Sequence, residues 1–307
     1  MRLLHSVERS AARPGPGEVP ESVLKALDLD VKRRIDGLMA GDYSSTSLGS
    51  GLEFLQVRPY EIGDDIRRIE WNVTARTRVP HVRVEVAERA LTSWIVLDVS
   101  RSMGFGTADR RKADVAEGVV LTLSHLATRR AGRIGLVLYD DRGMELMPPR
   151  GGRLAVLGTL RHLHRGRPLP SRAGSLADAL RLSQPAMRTR AAVFVVSDLI
   201  GPQDWRRPLI NLAGRHEVTV VEVRDPREDV LVDVGDLWFA DPESGAQVRV
   251  DTSDRDLRRR FAASAAAERA EVRRLLRATG AGHVVLSTEG DWLRAFATFL
   301  RRDRSRA

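Results

Sequence analysis

The sequence predicts an α/β protein with a doubly wound, mostly parallel sheet and a small β-rich N-terminal attachment. Three observations predict it. From Ser93 onward, short continuous apolar runs such as Trp94–Val99 and Arg190–Ser197 alternate with helical patterns. Strands apolar on both faces are those of a parallel sheet covered on both sides. Before Ser93 the texture differs, with Val82, Val84 and Val86 alternating with Arg83 and Glu85 as in a half-exposed strand. Finally, two of the buried runs end in aspartate, at Asp98 and at Ser197-Asp198, as strands delivering polar groups to one sheet edge do.

Taken in order, residues 1–20 read as a flexible lead, rich in Pro and Gly from Ala11 to Pro20. Residues 21–90 read as the attachment. It begins with a helical pattern, Val23, Leu24, Leu27, Val31, Ile35 and Leu38, that stops at Gly41. A polar loop follows to Gly51, then a short strand over Leu52, Phe54, Leu55 and Val57, and a turn at Gly63-Asp64-Asp65. Residues 91–307 form the main domain. Its strands are expected at Trp94–Val99, Arg133–Tyr139, Met144–Met147 (an edge strand), Arg190–Ser197, Val218–Val223 and His283–Ser287. A helix over Asp109–Arg130 puts Ala113, Ala116, Val119, Val120, Leu123 and Leu126 on one face. Shorter helices are expected at Ser175–Leu182 and Pro208–Ala213. A long one at Asp254–Thr279 is expected to be capped by Ser253 with Asp256 and stopped by Gly280. Residues near 226–252 break this rhythm with two Asp-Pro steps and alternating Leu237, Phe239 and Val248, Val250, the pattern of an inserted β-hairpin.

Composition narrows the function. At 307 residues and 42% hydrophobic content, the chain can bury a substantial core. There is no cysteine, which removes disulfides, thiolate metal sites and cysteine nucleophiles together. The start, Met1–Glu18, carries Arg2, Glu8, Arg9 and Arg13 and lacks the apolar core of a signal peptide. No window approaches roughly 18 uninterrupted apolar residues, so a cytoplasmic protein with no membrane span is expected. The formal charge is +9, and all basic residues but Lys25, Lys32 and Lys112 are arginine. That bias reads as genome composition before nucleic-acid chemistry, because the arginines alternate with Asp and Glu and aromatics are only 5%.

The motif that carries chemistry is Asp98-x-Ser100-x-Ser102, at the end of Trp94-Ile95-Val96-Leu97. One carboxylate and two hydroxyls in a tight loop suit a hard divalent cation such as Mg²⁺ or Mn²⁺, which takes oxygen ligands and keeps waters. In a sheet of order 3-2-1-4-5, the strand ending at Asp98 is first and the strand ending at Asp198 is fourth. The two are then neighbours at the switch point, where ligands bind. Two carboxylates would offset the ion's charge, and neutral serine oxygens would leave a position for a partner's carboxylate. The competing reading makes the same residues turn formers and helix caps. His162-Leu163-His164 has no third His or Cys nearby. Gly104-Phe105-Gly106 and Gly151-Gly152 lack the spacing of a phosphate loop. The five tryptophans read as core, the Arg258–Arg260 run as a solvated helix face, and Asp64, Asp65 and Arg68 as a structural salt-bridge turn.

These residues resemble the von Willebrand factor type A-like, Rossmann-like fold and its metal-ion-dependent adhesion site. Gly51-Leu52-Glu53-Phe54, Arg58-Pro59-Tyr60, Gly63-Asp64-Asp65, Arg68-Ile69-Glu70-Trp71 and Ala75-Arg76 sharpen the match. With Asp98 to Met103 they resemble the bacterial domain of unknown function 58 family, from about Leu38 to the C-terminal end. The resemblance implies metal ligands Asp98, Ser100, Ser102 and Asp198, with a further hydroxyl from a T-x-L-x-x-A-L loop. Here Gly174 stands at the threonine position and Ser175 is the candidate substitute. It also implies a non-enzymatic adaptor of a MoxR-type AAA+ ATPase, acting in remodelling or maturation of other proteins through a partner's acidic residue. Two alternatives are a metal-dependent phosphoester hydrolase and a basic nucleic-acid-binding protein.

Overall fold

The computed structural model describes residues 52–87, 92–128, 132–151, 174–240 and 246–302. The expected lead, the helix over residues 21–40, the loop up to Gly51 and the His162–His164 pair lie outside them.

The described residues fall into two units, one within Leu38–Ala90 and one within Leu91–Ala307. In the first, β1 (Leu52–Pro59), α1 (Trp71–Thr77) and β2 (His81–Ala87) follow in order, and β1 and β2 pair antiparallel with an irregularity between Phe54 and Gln56. The sequence pattern did not signal α1. A salt-bridge turn is present, but its arginine is Arg58 and not the expected Arg68: the Arg58 guanidinium grips Asp64 through both nitrogens, at 2.8 and 2.6 Å, and Glu61 N donates to Asp64 at 2.9 Å. Asp65 accepts from Arg67 N and caps the 3₁₀ turn Ile66–Arg68.

The second unit holds, in order, β3 (Thr92–Asp98), α2 (Lys112–Thr128), β4 (Arg133–Asp140), β5 (Gly143–Gly151), α3 (Leu176–Ser183) and β6 (Ala192–Ser197). Then come α4 (Arg206–Ala213), β7 (Glu217–Arg224), β8 (Asp236–Ala240), β9 (Gln247–Asp251), α5 (Arg255–Arg277), β10 (Gly282–Ser287) and α6 (Trp292–Arg302). Six strands form one sheet, β10-β7-β6-β3-β4-β5, parallel except for β5. This is the predicted doubly wound order, with β3 central. The edge strand β5 runs antiparallel because only Asp141 and Arg142 separate it from β4; a parallel crossover needs a dozen or more residues.

The apolar runs are continuous because both faces of the sheet are covered. Ile95 and Leu97 pack with Val115, Val119 and Leu123 of α2 and with Phe296 and Leu300 of α6. Trp94 and Val96, on the other face, pack with Leu180 of α3, Leu209 of α4 and Leu276 of α5. Gly135 pairs with Trp94 across β3–β4, and a Cβ there would lie 2.4 Å from the indole ring. The ring therefore lies where any larger residue at 135 would stand.

The insertion is the expected hairpin: β8 and β9 pair antiparallel from Asp236↔Asp251 to Ala240↔Gln247. Two expectations need correction. The cap of α5 is Asp254, which accepts from Asp256 N and Leu257 N, whereas the Ser253 hydroxyl donates to Asp251. Trp71 and Trp238 are exposed; only Trp94, Trp205 and Trp292 are core. Trp238 lies on a two-stranded ribbon, too small to bury both its faces. Among the described residues, no helix is long and apolar enough to cross a membrane.

Candidate functional site

β3 and β6 lie side by side, and their chains leave for β4 on one flank and β7 on the other. Asp98 and Ser197-Asp198 end these two strands, so the switch point puts both carboxylates at the same crevice, as ligand sites of open α/β sheets are built. Ser100 and Ser102 follow on the turn Arg101–Gly104, whose backbone folds back through Met103 N to Ser100 O at 3.1 Å.

Asp98 is buried and accepts three hydrogen bonds. Ser100 N donates to Oδ1 at 2.9 Å; Ser197 Oγ and Tyr139 Oη donate to Oδ2 at 2.7 and 2.9 Å. No Lys, Arg or His among the described residues pairs with it. Burial, followed by the neighbouring charge of Asp198, holds the Asp98 carboxyl above the usual carboxylate range. The same burial, then the charge of Asp98, pushes the Tyr139 phenol well up, so it stays a donor. Ser100 Oγ and Ser102 Oγ lie 3.1 Å apart. Ser102 Oγ donates to Asp198 Oδ2 at 2.7 Å, which leaves it the acceptor in its contact with Ser100 Oγ. Past Asp198 the chain turns through Leu199, at φ 57°, and Gly201, at φ 110°. A leucine in the left-handed region costs about 1 kcal/mol or more. It is held there by Leu199 N to Ser197 Oγ at 3.0 Å and Ile200 N to Asp198 Oδ1 at 3.1 Å.

Four of the five residues singled out in the sequence thus converge: Asp98, Ser100, Ser102 and Asp198. The Ser175 hydroxyl is engaged in its own helix cap. Ser175 is the N-cap of α3, its hydroxyl accepting from Asp178 N at 3.2 Å in a reciprocal capping box. Gly174 is fixed by sterics, since a Cβ there would lie 2.7 Å from Gly143 O and 2.9 Å from Asp140 O. Threonine at 174 therefore cannot enter without moving the β4–β5 turn. Gly174→Thr is expected to lower stability by about 1–3 kcal/mol and to leave Mg²⁺ affinity no higher than wild type. Thermal melting and calorimetric titration of the two proteins check both outcomes.

The structure adds a residue that sequence reasoning missed. Lys112, at the start of α2, is fully buried, and its ammonium donates to Asp198 Oδ2 at 2.6 Å and Glu228 Oε1 at 2.5 Å. Burial alone would push its pKa down; the charges and hydrogen bonds of Asp198 and Glu228 outweigh this and hold it above its ordinary value. A signal for it existed: Lys112 is the one lysine among the described residues of an arginine-dominated chain. Behind it sits Asp225, fully buried and joined to Thr107, Thr288 and Arg227 N.

The donor set of Asp98, Ser100 and Ser102 is all oxygen and includes a buried carboxylate without a cationic partner among the described residues, chemistry that suits a hydrated hard divalent cation. Among the described residues, no group of three or more His, Cys, Asp or Glu side chains could hold a metal ion, so such a site depends on hydroxyls.

Fold and site together define a doubly wound α/β domain with a carboxylate–hydroxyl cluster at its switch point. The chain belongs to the family described as Protein of unknown function DUF58, whose pattern matches residues 56–271. It is 39% identical over 284 residues to uncharacterized proteins of Mycobacterium tuberculosis and Mycobacterium bovis, covering 92% of this chain and 89% of each relative. Among solved structures it is similar to the conserved hypothetical protein BatB from Bacteroides thetaiotaomicron, at 12% identity and a TM-score of 0.45, over 70% of this chain and 99% of that one. It is also similar to a von Willebrand factor type A structure from Catenulispora acidiphila, at 11% identity and a TM-score of 0.34, over 73% of this chain and 44% of that one.

Proposed function

We propose that this protein is a non-enzymatic interaction module that recognises an acidic group of a partner protein through a Mg²⁺-type ion at its switch point. The observation that carries this reading is Asp98, a buried carboxylate with three donors and, among the described residues, no cationic partner, beside two serine oxygens 3.1 Å apart. Asp98, Ser100 and Ser102 would hold the ion, with Asp198 behind Ser102. When bound, the ion would supply a hard Lewis-acid position that a partner's carboxylate oxygen can fill. The chain's own contribution is orientation. Tyr139 and Ser197 fix the Asp98 carboxylate, and Asp198 accepts a hydrogen bond from the Ser102 hydroxyl, which fixes that serine.

The proposed partner is a MoxR-type AAA+ ATPase in the cytoplasm, as the family resemblance implies. Mg²⁺-dependent retention of such an ATPase by the immobilised protein is the test. Asp98→Ala and the shape-preserving Asp98→Asn are both expected to reduce retention and Mg²⁺ affinity at least tenfold, roughly the effect of losing one charged ligand. Equal retention with Mg²⁺ and with EDTA would count against the ion-bridged mechanism. The hydrolase alternative is tested on the same preparations by Mg²⁺- and Mn²⁺-dependent phosphatase and nuclease assays. The nucleic-acid alternative is tested by the salt dependence of binding.

A further inference from the structure

We infer that Lys112 is an internal counter-cation that offsets the charge of Asp198, so that a divalent ion at Asp98, Ser100 and Ser102 keeps more of its positive charge for an acidic partner group. This deepens the proposed function and rests on it. The geometry is specific. The Lys112 ammonium sits 2.6 Å from Asp198 Oδ2, the same oxygen that accepts the Ser102 hydroxyl, and 2.5 Å from Glu228 Oε1. The other Asp198 oxygen is occupied by Ile200 N at 3.1 Å. Asp198 is thus committed to protein donors on both oxygens, and its negative charge is partly offset from inside the fold.

The charge count follows. Lys112 is shared by Asp198 and Glu228, so with Asp98 the three carboxylates and one ammonium carry a net charge of −2, and of Asp98 and Asp198 only Asp98 lacks a cationic partner among the described residues. With Lys112 neutralised the net charge falls to −3, and Asp198 would act on the ion unmatched beside Asp98. An acidic ligand gains more from the first arrangement than from the second. At the effective dielectric of such sites, one unit charge a few ångströms from an ion changes its affinity by about tenfold or more.

The use of lysine here fits the role. The rest of the described chain uses arginine for its positive charges, yet position 112 is closed to solvent, and its charge must lie between carboxylate oxygens from two separate loops. A compact ammonium on a flexible stem can do this; a planar guanidinium fork is larger and needs in-plane partners. The Phe105 ring, 5.9 Å from the ammonium, lies on a further side, and Lys112 N donates to Phe105 O at 2.9 Å. Glu228 is itself placed by its second oxygen, which accepts Asp225 N at 3.0 Å. The loop after β7 therefore sets how the ammonium is shared between Glu228 and Asp198.

Calorimetric titration of the full chain with MgCl₂ alone tests the inference on wild type, Lys112→Gln and Glu228→Gln. Lys112→Gln keeps a hydrogen-bond donor and removes the charge; it is expected to bind Mg²⁺ at least about tenfold tighter. Glu228→Gln leaves the ammonium to Asp198 and removes a nearby negative charge; it is expected to bind Mg²⁺ several-fold weaker. A merely structural lysine would give weaker or unchanged binding in both variants. If wild type binds Mg²⁺ and Lys112→Gln does not bind it tighter, the inference is overturned and the ion site stands. If wild type does not bind Mg²⁺, the ion-site reading itself falls and takes the inference with it. Should Lys112→Gln fail to fold, the double variant Lys112→Gln/Glu228→Gln decides, since it removes the ammonium together with one of its two carboxylates; Mg²⁺ binding no tighter than that of Glu228→Gln alone overturns the inference.

Discussion

Replacing Lys112 with methionine is expected to destabilise the protein by about 3–5 kcal/mol, the scale seen when one partner of a buried ion pair is removed. Methionine matches the lysine stem closely, so little of this arises from packing. The loss comes from leaving Asp198 and Glu228 without their cation. The two are not equally exposed: the Asp198 side chain is 2% accessible and that of Glu228 is 18%. Water can partly compensate Glu228 but not Asp198, so most of the cost sits on Asp198. Lys112→Met/Asp198→Asn is accordingly expected to recover about 2–3 kcal/mol of the loss. Urea unfolding of wild type, both single variants and the double variant measures this coupling. A double variant no more stable than Lys112→Met alone would show that the ammonium does not act through Asp198.

The second large effect is at Asp225. Its two oxygens accept four hydrogen bonds: Thr107 N at 2.7 Å, Thr107 Oγ1 at 2.6 Å, Thr288 Oγ1 at 2.7 Å and Arg227 N at 2.9 Å. These join the loop after the Asp98 motif to the turn after β7 and the end of β10. Asp225→Ala leaves those buried donors unmatched and is expected to cost about 2–4 kcal/mol. The effect depends on pH with a definite sign. Burial alone would raise the Asp225 pKa, but the Thr107, Thr288 and Arg227 hydrogen bonds outweigh it and hold it below the ordinary 3.8. A depressed carboxylate contributes its stability above the unfolded-state value and loses it as pH falls through the folded one. The stability gap between wild type and Asp225→Ala should therefore be full at neutral pH and shrink below about pH 4. Chemical unfolding at pH 7, 5 and 3 measures it; a gap that grows on acidification would contradict this role.

Both effects belong to the rim that presents the candidate site, and neither residue is marked by local pattern. Asp225 reads as half of an Asp-Pro turn signal, which it is, since it caps the turn Pro226–Glu228. Its bonds to Thr107 and Thr288 span 118 and 63 residues of chain. The partners of Lys112 lie 86 and 116 residues away. Beside Arg110 and Arg111, Lys112 looks like one more charge at the solvated start of a helix. Only its residue type, lysine in an arginine-dominated chain, set it apart.

By itself the sequence determined the sheet and the place of its crevice. The run Trp94-Ile95-Val96-Leu97 is apolar at every position, as in a strand covered on both faces, and helices cover both faces of this sheet. Once β3 and β6 are neighbours, Asp98 and Asp198 must emerge together, because chain direction and strand length fix where each strand ends. Tertiary structure alone decided how the charges are shared. It buried Lys112 between two loops, turned Ser175 onto its own helix, and set the carbonyls of Asp140 and Gly143 where a side chain at 174 would stand. Periodicity records which face of an element is apolar, a local property. The pairing of polar groups across a sheet edge depends on where separate loops come to rest, which no local spacing encodes.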